Sequence, residues 1–395
     1  MAGEQADAAG PVALVWDGEL EYDFGPTHPL KPVRVELTVE LIRALEICDG
    51  GRAVEVPAGS YTEDELLQVH DADYVDTVKR LSSQRSGRSH AWEYGLGPGD
   101  NPIFAGMHEA SMRVCAASKE AARRVWQGEA KHAFNPAGGL HHAMRSRASG
   151  FCIYNDPAVA INWLLENGAD RIAYIDVDVH HGDGVEAIFY DDPRVLTVSL
   201  HESGSYLFPG TGWPDDIGGE GARGSAVNLP LSPRTTGDVW LEAFDAVTEP
   251  LVRSFNPDVL VTQLGCDTHA TDPLAHLALT VNDYGEIARR LHQLAHETAD
   301  GRWLATGGGG YQIVQVVPRA WATYFAEMSG FSLPDAVPQN WRDVARSRRV
   351  GDPPLRFRDE PAGIDAQTRG RVEDAARRSV EAVREFVFPH HGLDR

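Results

Sequence analysis

The sequence predicts an α/β fold, a mostly parallel central sheet with helices on both faces. Three observations predict it. Short apolar runs recur along the chain, helical patterns separate them, and several runs are nearly continuous in apolar residues, as strands covered on both faces require. The strand candidates are residues 12–16, 133–134, 171–175, 195–200, 259–264 and 303–306. Helices are expected at 108–126, 239–254, 283–299 and 314–328. Thr62 and Glu65 form a capping-box pair ahead of Leu66 and Leu67. Asp156 is expected to cap a helix that starts at Pro157 and stops at Gly168. Residues 87–100, rich in Gly, Ser and charge, read as a surface loop. We expect a catalytic unit over 11–350, a disordered stretch over 1–10, and a charged extension over 351–395 with a peripheral helix near 365–387.

The 395 residues are enough for a large core, and 42% hydrophobic with 24% charged residues is an ordinary globular balance. Asp and Glu outnumber Lys and Arg by 58 to 36, a formal charge of -22. That excess argues against direct nucleic-acid binding, which needs clustered positive charge. It suits either simple solubility or attraction of a cationic, lysine-rich partner. The cysteines Cys48, Cys115, Cys152 and Cys266 are far apart with no C-x-x-C pair, so a reducing compartment is expected. The first ten residues lack a basic stretch followed by an apolar one, and no apolar run approaches the ~20 residues of a membrane span. A soluble, cytoplasmic protein without membrane contact is the expectation.

In open α/β sheets ligands bind beyond the carboxyl ends of the strands, so chemistry belongs in the loops that follow the apolar runs. The densest such loop is Asp176-Val-Asp178-Val-His180-His181-Gly182-Asp183, directly after Ile172-Ala-Tyr-Ile175. Continued extension past the strand would send Asp176, Asp178 and His180 to one face. Grouped buried carboxylates need cations, and Asp178 with His180 suits a divalent metal. A further carboxylate would leave one coordination position open, and Asp267, just after the run Val259-Leu-Val261, is the candidate; alone, it reads equally well as a turn or helix cap. His141 and His142 end the Pro/Gly-rich segment Asn135-Pro-Ala-Gly-Gly-Leu140 and could be ligands, bases or packed residues. A base role needs each imidazole to donate to a carboxylate, and Asp176 and Asp183 are those left over from metal binding. Gly307-Gly-Gly-Gly310-Tyr311 lets backbone approach a buried site, with Tyr311 able to stabilise an oxyanion; the Lys-Ser/Thr of a phosphate loop is missing. Phe151 and Phe208, each in a glycine-flanked loop, are packing residues or the walls of a narrow apolar slot.

Six segments in one order resemble the histone deacetylase superfamily, the arginase/deacetylase fold. They are His28-Pro-Leu-Lys-Pro-Val-Arg34, Pro136-Ala-Gly-Gly-Leu-His-His142, Gly150-Phe-Cys-Ile-Tyr-Asn-Asp156, the block from Asp176 to Asp183, Cys266-Asp267, and Gly307 to Tyr311. Within the class I-like group, Gly265-Cys-Asp-Thr-His269 and Val316-Val-Pro-Arg-Ala-Trp321 are most similar to the bacterial acetoin-utilisation branch. The resemblance runs from about Tyr22 to about Trp321. It implies a sheet of about eight strands and zinc-dependent hydrolysis of N-ε-acetyl-lysine in proteins, releasing acetate.

By this resemblance Asp178, His180 and Asp267 bind Zn²⁺, or Fe²⁺, which the same ligands accept. His142 with Asp183 is the general base toward water, and His141 with Asp176 supports the transition-state charge. Tyr311 hydrogen-bonds the substrate carbonyl. Phe151 and Phe208 line the acyl-lysine tunnel with Gly150 and Leu274 nearby as substrate-binding residues, Asp100 grips the substrate backbone at the rim, and Arg34 belongs to an internal acetate cavity. A K⁺ ion would sit on oxygens of Asp176, Asp178, His180, Ser199 and Leu200. An acetylated acyl-CoA synthetase is the partner the acetoin branch implies. Three other readings remain: an acetylpolyamine or other small-molecule deacetylase on the same fold, a binuclear arginase-like hydrolase, and an inactive scaffold.

Overall fold

Strands alternate with helices through the middle of the computed structural model, which describes residues 11–18, 21–83 and 90–394; α-helices run in succession after the second and the last strand, and the fifth and sixth strands have no α-helix between them. The strands are β1 (Val12–Val15), β2 (Ala53–Val56), β3 (His132–Asn135), β4 (Ile172–Asp176), β5 (Val195–Glu202), β6 (Ala226–Leu231), β7 (Val259–Gln263) and β8 (Trp303–Thr306). The α-helices are α1 (Val33–Ala44), α2 (Glu63–Leu66), α3 (Ala72–Ser83), α4 (Met107–Trp126), α5 (Asp156–Glu166), α6 (Asp183–Phe189), α7 (Gly237–Phe255), α8 (Val281–Thr298), α9 (Val317–Met328), α10 (Gln339–Ser347) and α11 (Ala366–Val387). The expected stretch 1–10 lies outside the described residues, as do 87–89 of the expected surface loop.

All strands pair in parallel, in the order β2-β1-β3-β8-β7-β4-β5-β6. Alternation along each strand splits the core into two layers. Val12, Leu14, Ala173, Ile175 and Leu260 face a layer that includes side chains of α1, α7, α8, α9 and α11. Ala13, Val15, Ile172, Tyr174 and Val261 face the layer of α3, α4 and α5. Both faces are covered, so the inner strands are largely apolar.

The two strands without a counterpart in the sequence reading, β2 and β6, are the two edges of the sheet. β2 carries Glu55, and β6 carries Asn228 and Pro230; an edge tolerates proline because one side of the strand needs no ladder bond. The capping box of Thr62 and Glu65 is formed, and a second, Thr280 with Asp283, opens α8. Asp156 is not the cap of α5. Asn155 caps it by accepting from the Ala158 amide, while the buried Asp156 carboxylate turns away to accept from the amides of Gly139 and Leu140. The segment expected to be a peripheral helix forms α11, which covers the outside of β6 and α7 and buries Val372, Ala376, Val383 and Val387.

The last residues of the inner strands lie in register. Asn135 pairs with Thr306, Thr306 with Gln263, Gln263 with Asp176, and Asp176 with Ser199. Four loops that are far apart in sequence therefore leave the sheet side by side.

Candidate active site

The β4 loop does not continue as a strand. The Asp176 carboxylate accepts from the Asp178 amide at 3.1 Å, and that of Asp178 from the His180 amide at 3.0 Å. These successive side-chain turns replace the expected extension, because short carboxylates capture the amide two residues on. The β7 loop brings Asp267 alongside, its Oδ1 accepting from the Val179 amide at 2.9 Å.

Asp178, His180 and Asp267 thus meet, each offering a ligand atom within 4.8 Å of the others. His180 Nδ1 lies 2.9 Å from Asp178 Oδ1 and 3.2 Å from Asp267 Oδ2. The other oxygen of Asp178, Oδ2, is taken by Gln263 Nε2 and the Gly309 amide, both at 2.7 Å. Asp267 Oδ2 is buried, and apart from the 3.2 Å approach of His180 Nδ1 it has no well-formed hydrogen bond. Both carboxylates are fully buried. Two adjacent buried carboxylates, one with an oxygen so poorly partnered, fit a divalent cation far better than an empty space. Gly309 makes the room: a Cβ there would lie 1.9 Å from Asp267 Oδ2 and 2.8 Å from Asp178 Oδ2.

The β3 loop supplies the imidazoles, anchored from behind by Asp156. His141 Nδ1 is 2.7 Å from Asp176 Oδ2, and His142 Nδ1 is 2.6 Å from Asp183 Oδ1. Their Nε2 atoms face each other at 3.0 Å. The two environments pull the pair apart. Burial and the neighbouring His141 charge hold His142 down to about 4 despite Asp183. Burial works against the charged form of His141 too, but Asp176 and Asp178 carry it up to about 9. The surroundings thus favour the neutral form of His142 and the charged form of His141.

Tyr311, from the β8 loop, lines the same cavity as His141, His142, Asp178, His180 and Arg34. Its phenol is pushed well up by burial and by Asp267, so it stays a donor. Arg34 donates to the Gly310 carbonyl at 2.9 Å, its guanidinium over the rings of Tyr311 and Trp321. Phe151 meets Tyr311 edge-on at 5.9 Å, and Phe208 meets His142 edge-on at 5.0 Å. Gly150 stands between them, where a Cβ would lie 2.3 Å from His142 and 2.9 Å from Phe208. Phe151 itself has φ 70°, a strained conformation for a residue with a side chain, and its carbonyl is held by the Tyr22 hydroxyl at 2.8 Å. Asp100, Gly150 and Phe208 line a shallower depression outside. Leu274 lines neither cavity; its amide is tied to Asp272 at 2.9 Å. Ser199 sits in register with Asp176, and Leu200 is buried beside it on β5.

From the sequence alone, Gln263, Tyr174 and Asp272 have no role at this site, and Asp156 is only a helix cap. Gln263 orients Asp178, Tyr174 donates to Asp176 at 2.6 Å, Asp272 accepts from the Tyr311 amide at 2.8 Å, and Asp156 anchors the histidine loop. Polar residues inside apolar strands, Gln263 and Tyr174 among them, were the available signal, since a buried polar group needs a partner.

With this geometry in hand, comparison with known proteins is specific. The model of the histone deacetylase domain matches residues 28–328. The acetoin utilization protein AcuC of Bacillus subtilis (strain 168) is 45% identical over 320 residues, 81% of this chain and 82% of that protein. AcuC of Staphylococcus xylosus is 37% identical over 323 residues, 82% of this chain and 83% of that protein. A crystal structure of an HDAC homolog complexed with SAHA superposes with a TM-score of 0.81 at 30% identity, covering 94% of this chain and all 100% of the other. That of an HDAC homolog from Aquifex aeolicus gives 0.80, with the same identity and coverage.

Proposed function

Because the chain belongs to the histone deacetylase family and is similar to its acetoin-utilisation branch, we propose that it hydrolyses N-ε-acetyl-lysine in proteins with a divalent metal, Zn²⁺ or Fe²⁺, held by Asp178, His180 and Asp267. The observation that carries this reading is the meeting of those three ligands, the His142–Asp183 pair and Tyr311 at one cavity whose mouth is flanked by Phe151 and Phe208.

When bound, the cation supplies Lewis acidity, making water a better nucleophile and the acetyl carbonyl a better electrophile. The chain's own residues do the rest. His142 is the base: the attacking water replaces His141 at its Nε2 and gives up its proton there, while Asp183 on Nδ1 fixes the tautomer. His141, held protonated by Asp176, offsets the negative charge that develops on the acyl carbon's oxygens. The Tyr311 hydroxyl donates to the same charge. The lysine amine then leaves with a proton from the histidine pair, without which its expulsion is very slow. Gly150, with no side chain, lets the backbone lie close against His142 and Phe208 at the mouth of the cavity. Asp100 at the rim is suited to a peptide amide. Oxygens of Asp176, Asp178, His180, Ser199 and Leu200 would hold K⁺, Arg34 would receive the departing acetate, and an acetylated acyl-CoA synthetase is the first protein substrate to try. No helix among the described residues is long and apolar enough to cross a membrane.

The test is an assay of enzyme loaded with Zn²⁺ or Fe²⁺ on acetylated proteins, acetyl-lysine peptides and acetylpolyamines, with Tyr311→Phe as control. Turnover of the peptides that Tyr311→Phe suppresses is expected. Turnover of acetylpolyamines alone would move the substrate to small molecules.

A further inference from the structure

The opposite end of the sheet carries a second cluster of metal-type ligands that the deacetylase chemistry does not use. His132 is the first residue of β3 and pairs in register with Trp303, the first of β8. His292 and His296 are four residues apart on α8 and so share a face. Their ligand nitrogens and that of His132 all lie within 4.8 Å of one another. His132 Nε2 is 3.1 Å from His292 Nε2, and His296 Nε2 is also 3.1 Å from His292 Nε2.

Proton accounting argues against a plain hydrogen-bonded trio. His292 Nδ1 is 3.0 Å from the Glu327 carboxylate, which accepts only, so Nδ1 carries a proton toward it. Its Nε2 then has a single in-plane bonding position, yet two other Nε2 atoms approach it equally closely. One such position cannot serve two partners well. A cation at the centre satisfies all three nitrogens at once. Tetrahedral zinc with Zn–N near 2.0–2.1 Å places its nitrogens roughly 3.3 Å apart, close to the spacing present.

The surroundings are those of a prepared site. Trp303, fully buried, stacks on the His292 ring and meets His132 edge-on, fixing both. Glu327 on His292 Nδ1 is the carboxylate partner that metal-bound histidines use to set their tautomer and raise their basicity. His132 is buried, His292 half-buried and His296 exposed, which leaves a path for an ion to enter.

We infer that His132, His292 and His296 form a second divalent-metal site, of the three-imidazole kind that takes Zn²⁺, with water in the open position. It clamps the start of β3 to α8 and is independent of the deacetylase site, which lies beyond the strands' other ends. Imidazole-only ligation favours zinc, nickel or copper over magnesium or calcium.

The test is metal stoichiometry. Metal-stripped protein is dialysed against micromolar free Zn²⁺ and the bound metal counted by elemental analysis, for the wild type, His296→Ala and His292→Gln. Each variant is expected to hold one Zn²⁺ per chain fewer than the wild type. Co²⁺ substitution gives a second readout: the visible absorption of tetrahedral cobalt should lose one component in both variants. His296 is exposed, so its alanine variant tests the site without disturbing the core. If His296→Ala and wild type bind the same number of ions with the same cobalt spectrum, the three histidines are a hydrogen-bonded array and the inference is wrong. The total bound does not enter this difference, so a failure at Asp178, His180 and Asp267 is seen separately.

Discussion

At the carboxyl ends of the strands two aspartates and a histidine converge in a buried cavity, next to an imidazole pair and a phenol. At the amino ends three histidines converge near the surface, with one carboxylate behind them. Both ends gather ligands. What differs is the company. The first set includes two buried negative charges beside groups whose proton affinities are driven apart, His142 downward and His141 upward. The second is made of imidazoles, one of them paired with the Glu327 carboxylate. Metal chemistry needs the first arrangement and metal holding needs only the second, so the neighbours of a ligand set, more than the ligands, separate catalysis from clamping.

The sharpest way to break this contrast is to remove the base. His142→Ala should lower kcat/KM by about 10²–10⁴ while leaving zinc content unchanged; a loss of bound zinc would make His142 a ligand. In the wild type, protonation of His142 removes its lone pair. Activity should therefore be present above its pKa, held down to about 4, and be lost as pH falls through it. A kcat/KM profile flat across that range would place the base elsewhere.

Tyr311→Phe should cost about 10²–10³ in kcat with little change in KM, the mark of a donor that acts on developing charge. At the other end, Glu327→Gln should weaken Zn²⁺ binding by about 10–100-fold, measured by competition with a chelator, and leave kcat untouched. Equal loss of activity would mean the two ends are coupled.

A smaller effect tests how the loop carrying Asp267 is held. Asp359, in the C-terminal extension, binds His269, the amide of Val281 and Arg319. Burial works against its charge, but these partners keep its carboxyl well below the usual range. A depressed carboxylate contributes stability that is present above its unfolded pKa of about 3.9 and lost as pH falls through the folded value. The Tm difference between wild type and Asp359→Asn should thus be largest at neutral pH and shrink in acid. A constant difference would assign the loss to packing.

Much of this was legible in the chain because it is written locally. The inner strands are continuous apolar runs, and the loops after them carry Asp176, Asp178, His180, Asp267 and Tyr311. The edge strands β2 and β6 were not legible, since an edge tolerates Glu55, Asn228 and Pro230, which read as breaks. Asp156 was read as a cap because Asp before Pro is a helix start, whereas its carboxylate works 16 and 17 residues away. The amino-end histidines left no motif, because 160 residues separate His132 from His292.

The sequence by itself determined the alternation of strands and helices, the order of the chemical loops and the ligand types, all of which follow from local pattern and side-chain identity. Tertiary structure alone decided which carboxylate meets which imidazole, which oxygens Gln263 and the Gly309 amide occupy, and that Gly309 leaves room between Asp178 and Asp267. It also decided that His132 meets α8. The physical reason is strand order: β7 and β8 enter the sheet between β3 and β4, and only that insertion brings the ends of distant segments into register.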